Sequence, residues 1–61
     1  MNSNDSKIIG QLMSNARTTW AELGALIGLS APAAAERVRK LEESGVIKGY
    51  AALIDPDTIG C

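Results

Sequence analysis

Apolar residues in the first 45 positions recur at intervals of three or four, the spacing that places them on one face of an α-helix. The pattern falls into three stretches, which predict helices over residues 3–13, 20–27 and 31–44. The side chains expected to meet in the core are Ile8, Leu12, Leu23, Leu26, Val38 and Leu41. A chain of 61 residues forms one domain at most, and such a core is small.

Capping residues mark where two of these helices begin. Thr19 and Glu22 have the spacing of a capping box, in which each side chain accepts a hydrogen bond from the other residue's backbone N–H. Asn2 and Asp5 offer the same arrangement at the start of the first helix. Both helix starts are therefore predicted from short stretches of sequence.

After Gly45 the pattern changes from helical spacing to alternation. Successive side chains from Ile47 to Ile54 would point to opposite faces, as they do in a β-strand that ends at Asp55-Pro56. The expected fold class is therefore mainly α, with three helices followed by a short C-terminal strand or hairpin.

A three-residue turn, Gly28-Leu29-Ser30, joins the second and third predicted helices. Gly28 suits the left-handed conformation that ends a helix, Leu29 is expected to point inward, and Ser30 suits an N-cap. Pro32 falls in the first turn of the third helix, where a missing amide costs little. Such a turn between two short helices is typical of a helix-turn-helix, although small helical bundles without any DNA role also contain it.

The basic residues are concentrated in one part of the chain. Six Lys and Arg oppose seven Asp and Glu, so the net charge of −1 gives no general preference for nucleic acid. Four of those six fall between Arg37 and Lys48, however, which predicts a local basic footprint.

Several classes of function lack the residues that they need. The chain contains no histidine, and its single cysteine is Cys61, the last residue, so neither a disulfide within the chain nor a Cys/His metal site is expected. There is no glycine-rich phosphate loop and no nucleophile paired with a base. The apolar runs are too short to cross a bilayer, and no signal peptide is recognised. We expect a cytoplasmic protein that is not an enzyme and that holds no cofactor.

In combination, several motifs resemble the Lrp/AsnC family of leucine-responsive "feast/famine" regulators. The runs that carry the resemblance are Leu29-Ser30, Glu36-Arg37-Val38-Arg39-Lys40-Leu41-Glu42 and Gly45-Val46-Ile47-Lys48-Gly49-Tyr50. The resemblance implies that residues 1–54 form a winged helix-turn-helix, the N-terminal DNA-binding module of a bacterial or archaeal transcriptional regulator. It also implies that residues 55–61 begin a linker to a C-terminal sensing and oligomerising domain that is absent from this chain. An amino-acid effector is implied for the full-length protein.

The third helix departs from the family at its start. Family members commonly carry hydroxyl residues there, whereas this chain has Ala31-Pro32-Ala33-Ala34-Ala35. None of these side chains can donate a hydrogen bond to a base edge. Methyl contacts with thymine and close approach of the backbone to phosphate are the contacts that remain.

The candidate DNA contacts combine helix ends, the third helix and the expected wing. Arg39 and Lys40 offer charge on the outer face of the helix, and Lys48 lies where a wing would pass the DNA backbone. Arg37 lies nearer the buried flank and either pairs with an acidic neighbour or contacts DNA. The full set is Thr19, Ser30, Ala31, Pro32, Ala33, Glu36, Arg37, Arg39, Lys40 and Lys48.

The expected partners are double-stranded DNA and a second copy of the chain. A single strand over residues 47–54 would leave its backbone groups unpaired, which favours pairing with another copy in a homodimer. The alternative function is a protein-interaction or dimerisation module with the same fold, which would expose that strand and would not need Arg39 or Lys40.

Overall fold

A computed structural model describes residues 2–58 and contains three helices in that part of the chain. They are α1 (Ser3–Ser14), α2 (Trp20–Ile27) and α3 (Ala31–Glu43). The helices predicted from the apolar spacing are therefore confirmed, with ends that differ by one residue at most. Ile59, Gly60 and Cys61 lie outside the described residues.

The predicted caps account for where α1 and α2 begin. The backbone N–H of Glu22 donates to Thr19 Oγ1 at 3.1 Å, and the N–H of Thr19 donates to Glu22 Oε1 at 2.9 Å. Both halves of this capping box are formed. At α1 the N–H of Asp5 donates to Asn2 Oδ1 at 2.9 Å. The carboxylate of Asp5 instead lies 3.5 Å from Arg37 Nη1, which connects the start of α1 to α3.

The core consists of side chains from all three helices. Its buried members are Ile8, Leu23, Ile27, Ala34, Val38 and Leu41. Leu12 is only partly buried and packs against this cluster together with Ile9 and Ile47. The predicted core is thus confirmed for Ile8, Leu23, Val38 and Leu41, whereas Leu12 lies at its edge and Ile27 and Ala34 were missing from it.

Two apolar residues predicted to face inward are substantially exposed. Leu26 is 42% exposed and Leu29 is 39% exposed. Leu23, Gly24 and Ile27 form the buried side of α2, and Leu26 lies about 100° around the helix from Ile27. The backbone of Leu29 takes the inward position, because its N–H donates to the carbonyl of Gly24 at 2.8 Å.

The segment after α3 follows the helices without forming regular structure. Residues 44–58 contain no strand, so the expected C-terminal strand or hairpin is not confirmed. The N–H of Ile47 donates to the carbonyl of Leu41 at 3.1 Å, and the Tyr50 hydroxyl donates to Glu42 Oε2 at 2.9 Å. These two bonds hold the segment against the end of α3. A strand requires a second strand to pair with, and residues 2–58 provide none.

None of the helices within residues 2–58 is long and apolar enough to span a membrane. The longest helix there, α3, has 13 residues, whereas a bilayer requires about 20 apolar residues.

Candidate DNA-binding interface

The turn between α2 and α3 sets the direction of α3. Gly28 adopts φ +72° and ψ +28°, the left-handed conformation that ends α2. Ser30 then caps α3, because its Oγ accepts a hydrogen bond from the N–H of Ala33 at 3.3 Å. Pro32 lies in the first helical turn. The sequence predictions for Gly28, Ser30 and Pro32 are all confirmed, and the arrangement is that of a helix-turn-helix.

The outer face of α3 begins with small side chains and ends with charged ones. Ala31 and Ala33 are half-buried, and Pro32 is exposed beside them. Ala34, by contrast, points into the core. Beyond this first turn, Lys40 is exposed. Eight of the predicted site residues therefore lie at one cap and on one helix: Ser30, Ala31, Pro32, Ala33, Glu36, Arg37, Arg39 and Lys40.

Arg39 is held by two glutamates on its own helix. Its Nη2 lies 2.5 Å from Glu36 Oε1, and its Nε donates to Glu36 Oε2 at 3.2 Å. On the other side its Nη1 donates to Glu43 Oε1 at 3.2 Å. The spacing is i,i+3 and i,i+4, at which side chains on a helix are neighbours. We call Glu36, Arg39 and Glu43 the outer triad.

The hydrogen bonds between Glu36 and Arg39 favour the charged form of both side chains. The Arg39 guanidinium, chiefly by hydrogen bonding, holds the pKa of the Glu36 carboxyl below its ordinary value. The same bond raises the pKa of Arg39. Glu43 was absent from the site predicted by sequence, although its spacing from Arg39 was a readable signal.

Arg37 pairs with an acidic residue on another helix. Its Nη1 lies 3.5 Å from Asp5 Oδ1, and both side chains are partly shielded from solvent. Of the two roles left open by the sequence, the ion pair is the one observed. Asp5 was expected only to cap α1, so this link between α1 and α3 was not predicted.

Two of the four clustered cations have no carboxylate partner in the part of the chain that the structure describes. Lys40 and Lys48 are exposed and form no ion pair within residues 2–58, whereas Arg37 and Arg39 do. Thr19 caps α2 rather than α3, and its oxygen already accepts the capping bond from the N–H of Glu22. Among these four cations, the two lysines are therefore the more available to an anionic ligand.

No metal site accompanies this surface. Residues 2–58 contain no group of three or more His, Cys, Asp or Glu side chains placed to hold a metal ion.

An open apolar groove lies beside the helix-turn-helix. It has a volume of about 500 Å³ and is bounded by the second half of α1 and by residues 46–53. Met13, Val46, Tyr50 and Leu53 line it, and each of them is at least half exposed. Monomeric proteins rarely expose a large continuous apolar surface without a partner.

The chain is similar to known DNA-binding regulators. A family model described as "Winged helix-turn-helix DNA-binding" matches residues 1–48. The uncharacterized HTH-type transcriptional regulator YezC of Bacillus subtilis is 57% identical over 54 residues, which are 88% of this chain and 39% of that protein. The leucine-responsive regulatory protein of Rhizobium meliloti is 48% identical over 56 residues, or 92% of this chain and 36% of that protein.

A solved structure gives the same result in three dimensions. An AsnC family transcriptional regulator from Agrobacterium tumefaciens superimposes with a TM-score of 0.83 at 36% identity, covering 97% of this chain and 39% of that one. The chain spans about two fifths of the length of these proteins. The resemblance to Lrp/AsnC regulators is thus confirmed, and the chain belongs to the winged helix-turn-helix DNA-binding family.

Proposed function

We propose that this chain is the DNA-reading module of a transcriptional regulator and that α3 enters the major groove. The observation that carries the proposal is the Gly28 turn, which connects the core-packed α2 to a capped α3 whose outer face is exposed. In a helix-turn-helix, the first helix braces the second so that the second can reach base edges. Membership of the winged helix-turn-helix family supports the same function.

The first turn of α3 offers methyl groups and few donors. Pro32 has no N–H, and the N–H groups of Ala33 and Ala34 are bonded to Ser30. At most the amide of Ala31 remains for a phosphate at this helix end. Ala31 and Ala33 are therefore proposed to meet thymine methyl groups, which discriminate weakly between bases.

Lys40 and Lys48 are proposed to hold the DNA backbone. Contacts to phosphate fix the register of a protein on DNA without reading its sequence. With a weakly discriminating helix end, much of the selectivity would then come from the shape and bendability of the DNA. Thr19 and Arg37 are proposed as outer contacts to the backbone, each in addition to its structural bond.

Binding to duplex DNA at several salt concentrations tests this function. Lys40→Ala and Lys48→Ala should each weaken binding to mixed-sequence duplexes and reduce the salt slope by roughly one unit, because each removes one phosphate contact. Lys7→Ala is the matched control, since Lys7 is an exposed lysine of α1 outside the proposed interface. Equal effects of all three substitutions would contradict the proposal.

We also propose that two copies of the chain associate through residues 47–54. Tyr50, Leu53 and Ile54 in this segment expose more than half of their surface. The backbone there has no strand partner within residues 2–58, which leaves it available to pair with a second copy. A symmetric dimer would match the two-fold symmetry of a palindromic operator.

The whole protein is proposed to be longer than this module. In that arrangement residues 1–54 form the reading module, and residues 55–61 begin a linker to a sensing and oligomerising domain. Its proposed effector is an amino acid, as the name of the leucine-responsive relative indicates for that protein. Several modules joined in one assembly would bind more tightly than a single one, through effective concentration. The cytoplasm is its proposed location, where bacterial and archaeal DNA is found.

A further inference from the structure

The outer triad places two negative charges and one positive charge on the face of α3 that is proposed to meet DNA. Arg39 directs its Nε and Nη2 to Glu36 and its Nη1 to Glu43, so every nitrogen of its guanidinium already has a carboxylate partner. All three side chains are exposed. Arg39 therefore lies on the face proposed to meet DNA, but its guanidinium is already hydrogen-bonded to Glu36 and Glu43.

The DNA backbone is a poor replacement for these partners. A phosphate supplies acceptors to Arg39, but the carboxylates that are released then face an anionic surface with no donor for them. The major-groove edge of a G·C pair differs, because guanine presents two acceptors at N7 and O6 and cytosine presents an amino donor at N4. Arginine can bind the guanine while a carboxylate accepts from the cytosine.

We propose that the outer triad is a selectivity element, in which Glu36 and Glu43 suppress the binding of Arg39 to phosphate and favour G·C pairs. This inference rests on the proposed DNA-binding function. It gives Glu36 and Glu43 a role that their negative charge would otherwise contradict. It also assigns different roles to the basic residues: Arg39 would contact bases, whereas Lys40 and Lys48 would contact DNA phosphates.

The affinity for mixed-sequence duplex DNA tests the suppression. Glu36→Gln with Glu43→Gln should strengthen this binding on the order of tenfold, since two exposed ion pairs no longer compete. It should also steepen the salt slope by roughly one unit, because Arg39 gains a phosphate contact. Glu42→Gln is the matched control, because Glu42 is bonded to Tyr50 and belongs to the same helix. It should change the affinity less than twofold.

Arg39→Ala decides whether the carboxylates act through Arg39. In that background, the two glutamate substitutions should leave the affinity and the salt slope nearly unchanged. If the gain persists without Arg39, the glutamates merely repel phosphate and the proposal is overturned. Circular dichroism of each variant checks that the helices are retained.

Selection from a randomised duplex library tests the base preference. The unsubstituted protein should enrich a G·C pair at a fixed position, and both Glu36→Ala and Arg39→Ala should lose that preference. Enrichment that is unchanged in these variants overturns the proposal even if the protein binds DNA. Failure of the unsubstituted protein to bind any duplex is a different result and overturns the proposed function itself.

Discussion

The backbone of Leu29 packs directly against Gly24, one turn before the end of α2. The N–H of Leu29 donates to the Gly24 carbonyl at 2.8 Å, and a Cβ on Gly24 would lie 2.5 Å from the Leu29 carbonyl oxygen. It would also lie 3.0 Å from the carbonyl carbon of Ser30. These neighbours are backbone atoms and cannot rotate away. Gly24 therefore allows the turn to fold back onto α2.

Gly24→Ala should destabilise the protein by about 1–3 kcal/mol, because the added methyl group overpacks the junction between α2 and α3. Gly10→Ala is the matched control, since a Cβ on Gly10 would have no neighbour within 4 Å. That control should stabilise α1 by about 0.5–1 kcal/mol through helix propensity. Urea or thermal unfolding measures both. Equal effects of the two substitutions would show that the close approach at Gly24 has no energetic importance.

Leu23→Ala and Leu26→Ala should differ although both remove a leucine side chain from α2. Leu23 is completely buried, so its truncation leaves a cavity and should cost about 2–5 kcal/mol. Leu26 is 42% exposed, and its truncation should cost clearly less. The difference in unfolding free energy between the two variants is the measurement. A larger loss of stability for Leu26→Ala would show that Leu26, rather than Leu23, faces the core.

The capping box of α2 should contribute to stability at neutral pH. Thr19→Ala removes the acceptor for the N–H of Glu22 and should cost about 1 kcal/mol. Thr58→Ala serves as a comparison outside the helices, since the Thr58 hydroxyl donates only to Asp55 at 2.6 Å. Thermal unfolding at pH 7 measures the two losses. An equal loss of stability for Thr58→Ala and Thr19→Ala would show that the capping hydrogen bond contributes no more than an ordinary surface hydrogen bond.

Glu22 should make stability fall in acid. The backbone N–H of Thr19, followed by its hydroxyl, lowers the pKa of the Glu22 carboxyl below the ordinary value of 4.5. A carboxyl with a depressed folded-state pKa stabilises the fold above its unfolded-state pKa, and this contribution is lost as the pH falls through the folded-state value. Glu22→Gln keeps a hydrogen-bond acceptor but cannot titrate in this range. The stability advantage of the unsubstituted protein over this variant should shrink as the pH falls below about 4.5.

Self-association should depend on the apolar segment after α3. Leu53→Asp places a charge on a leucine that has almost no protein contact, so it should leave the helices intact and lower the average mass seen by light scattering. Ala25→Asp is the control, because it adds the same charge at an exposed position of α2. A monomeric mass for the unsubstituted protein at high concentration would rule out association of the isolated chain.

Local features of the sequence predicted most of the fold. Apolar spacing and capping residues fixed the helix limits, because both act over a few neighbouring positions. The exposure of Leu29 reflects the close contact between its backbone and Gly24, which joins the turn to α2 and cannot be read from apolar spacing. A strand over residues 47–54 would need a second strand to pair with, and residues 2–58 contain none, so alternation alone could not establish it.

The sequence predicted which residues lie on α3 in the candidate site, but it did not predict the ion pairs that they form. The sequence placed Glu36, Arg39 and Lys40 on one face of the third helix, and all three lie within α3. It did not show that the Arg39 guanidinium donates hydrogen bonds to Glu36 and Glu43. The ion pair between Asp5 and Arg37 joins residues far apart in the chain, so spacing within one helix could not identify it.

The placement of the core has a consequence for how the chain can change during evolution. Within residues 2–58, every buried apolar side chain belongs to a helix, and the last of them is Leu41; of the later residues in that range, Ile47 packs against the cluster. Substitutions within residues 51–58 should therefore change the stability of the fold only slightly. Selection on the apolar side chains of this segment would therefore act through the surfaces that they touch rather than through folding.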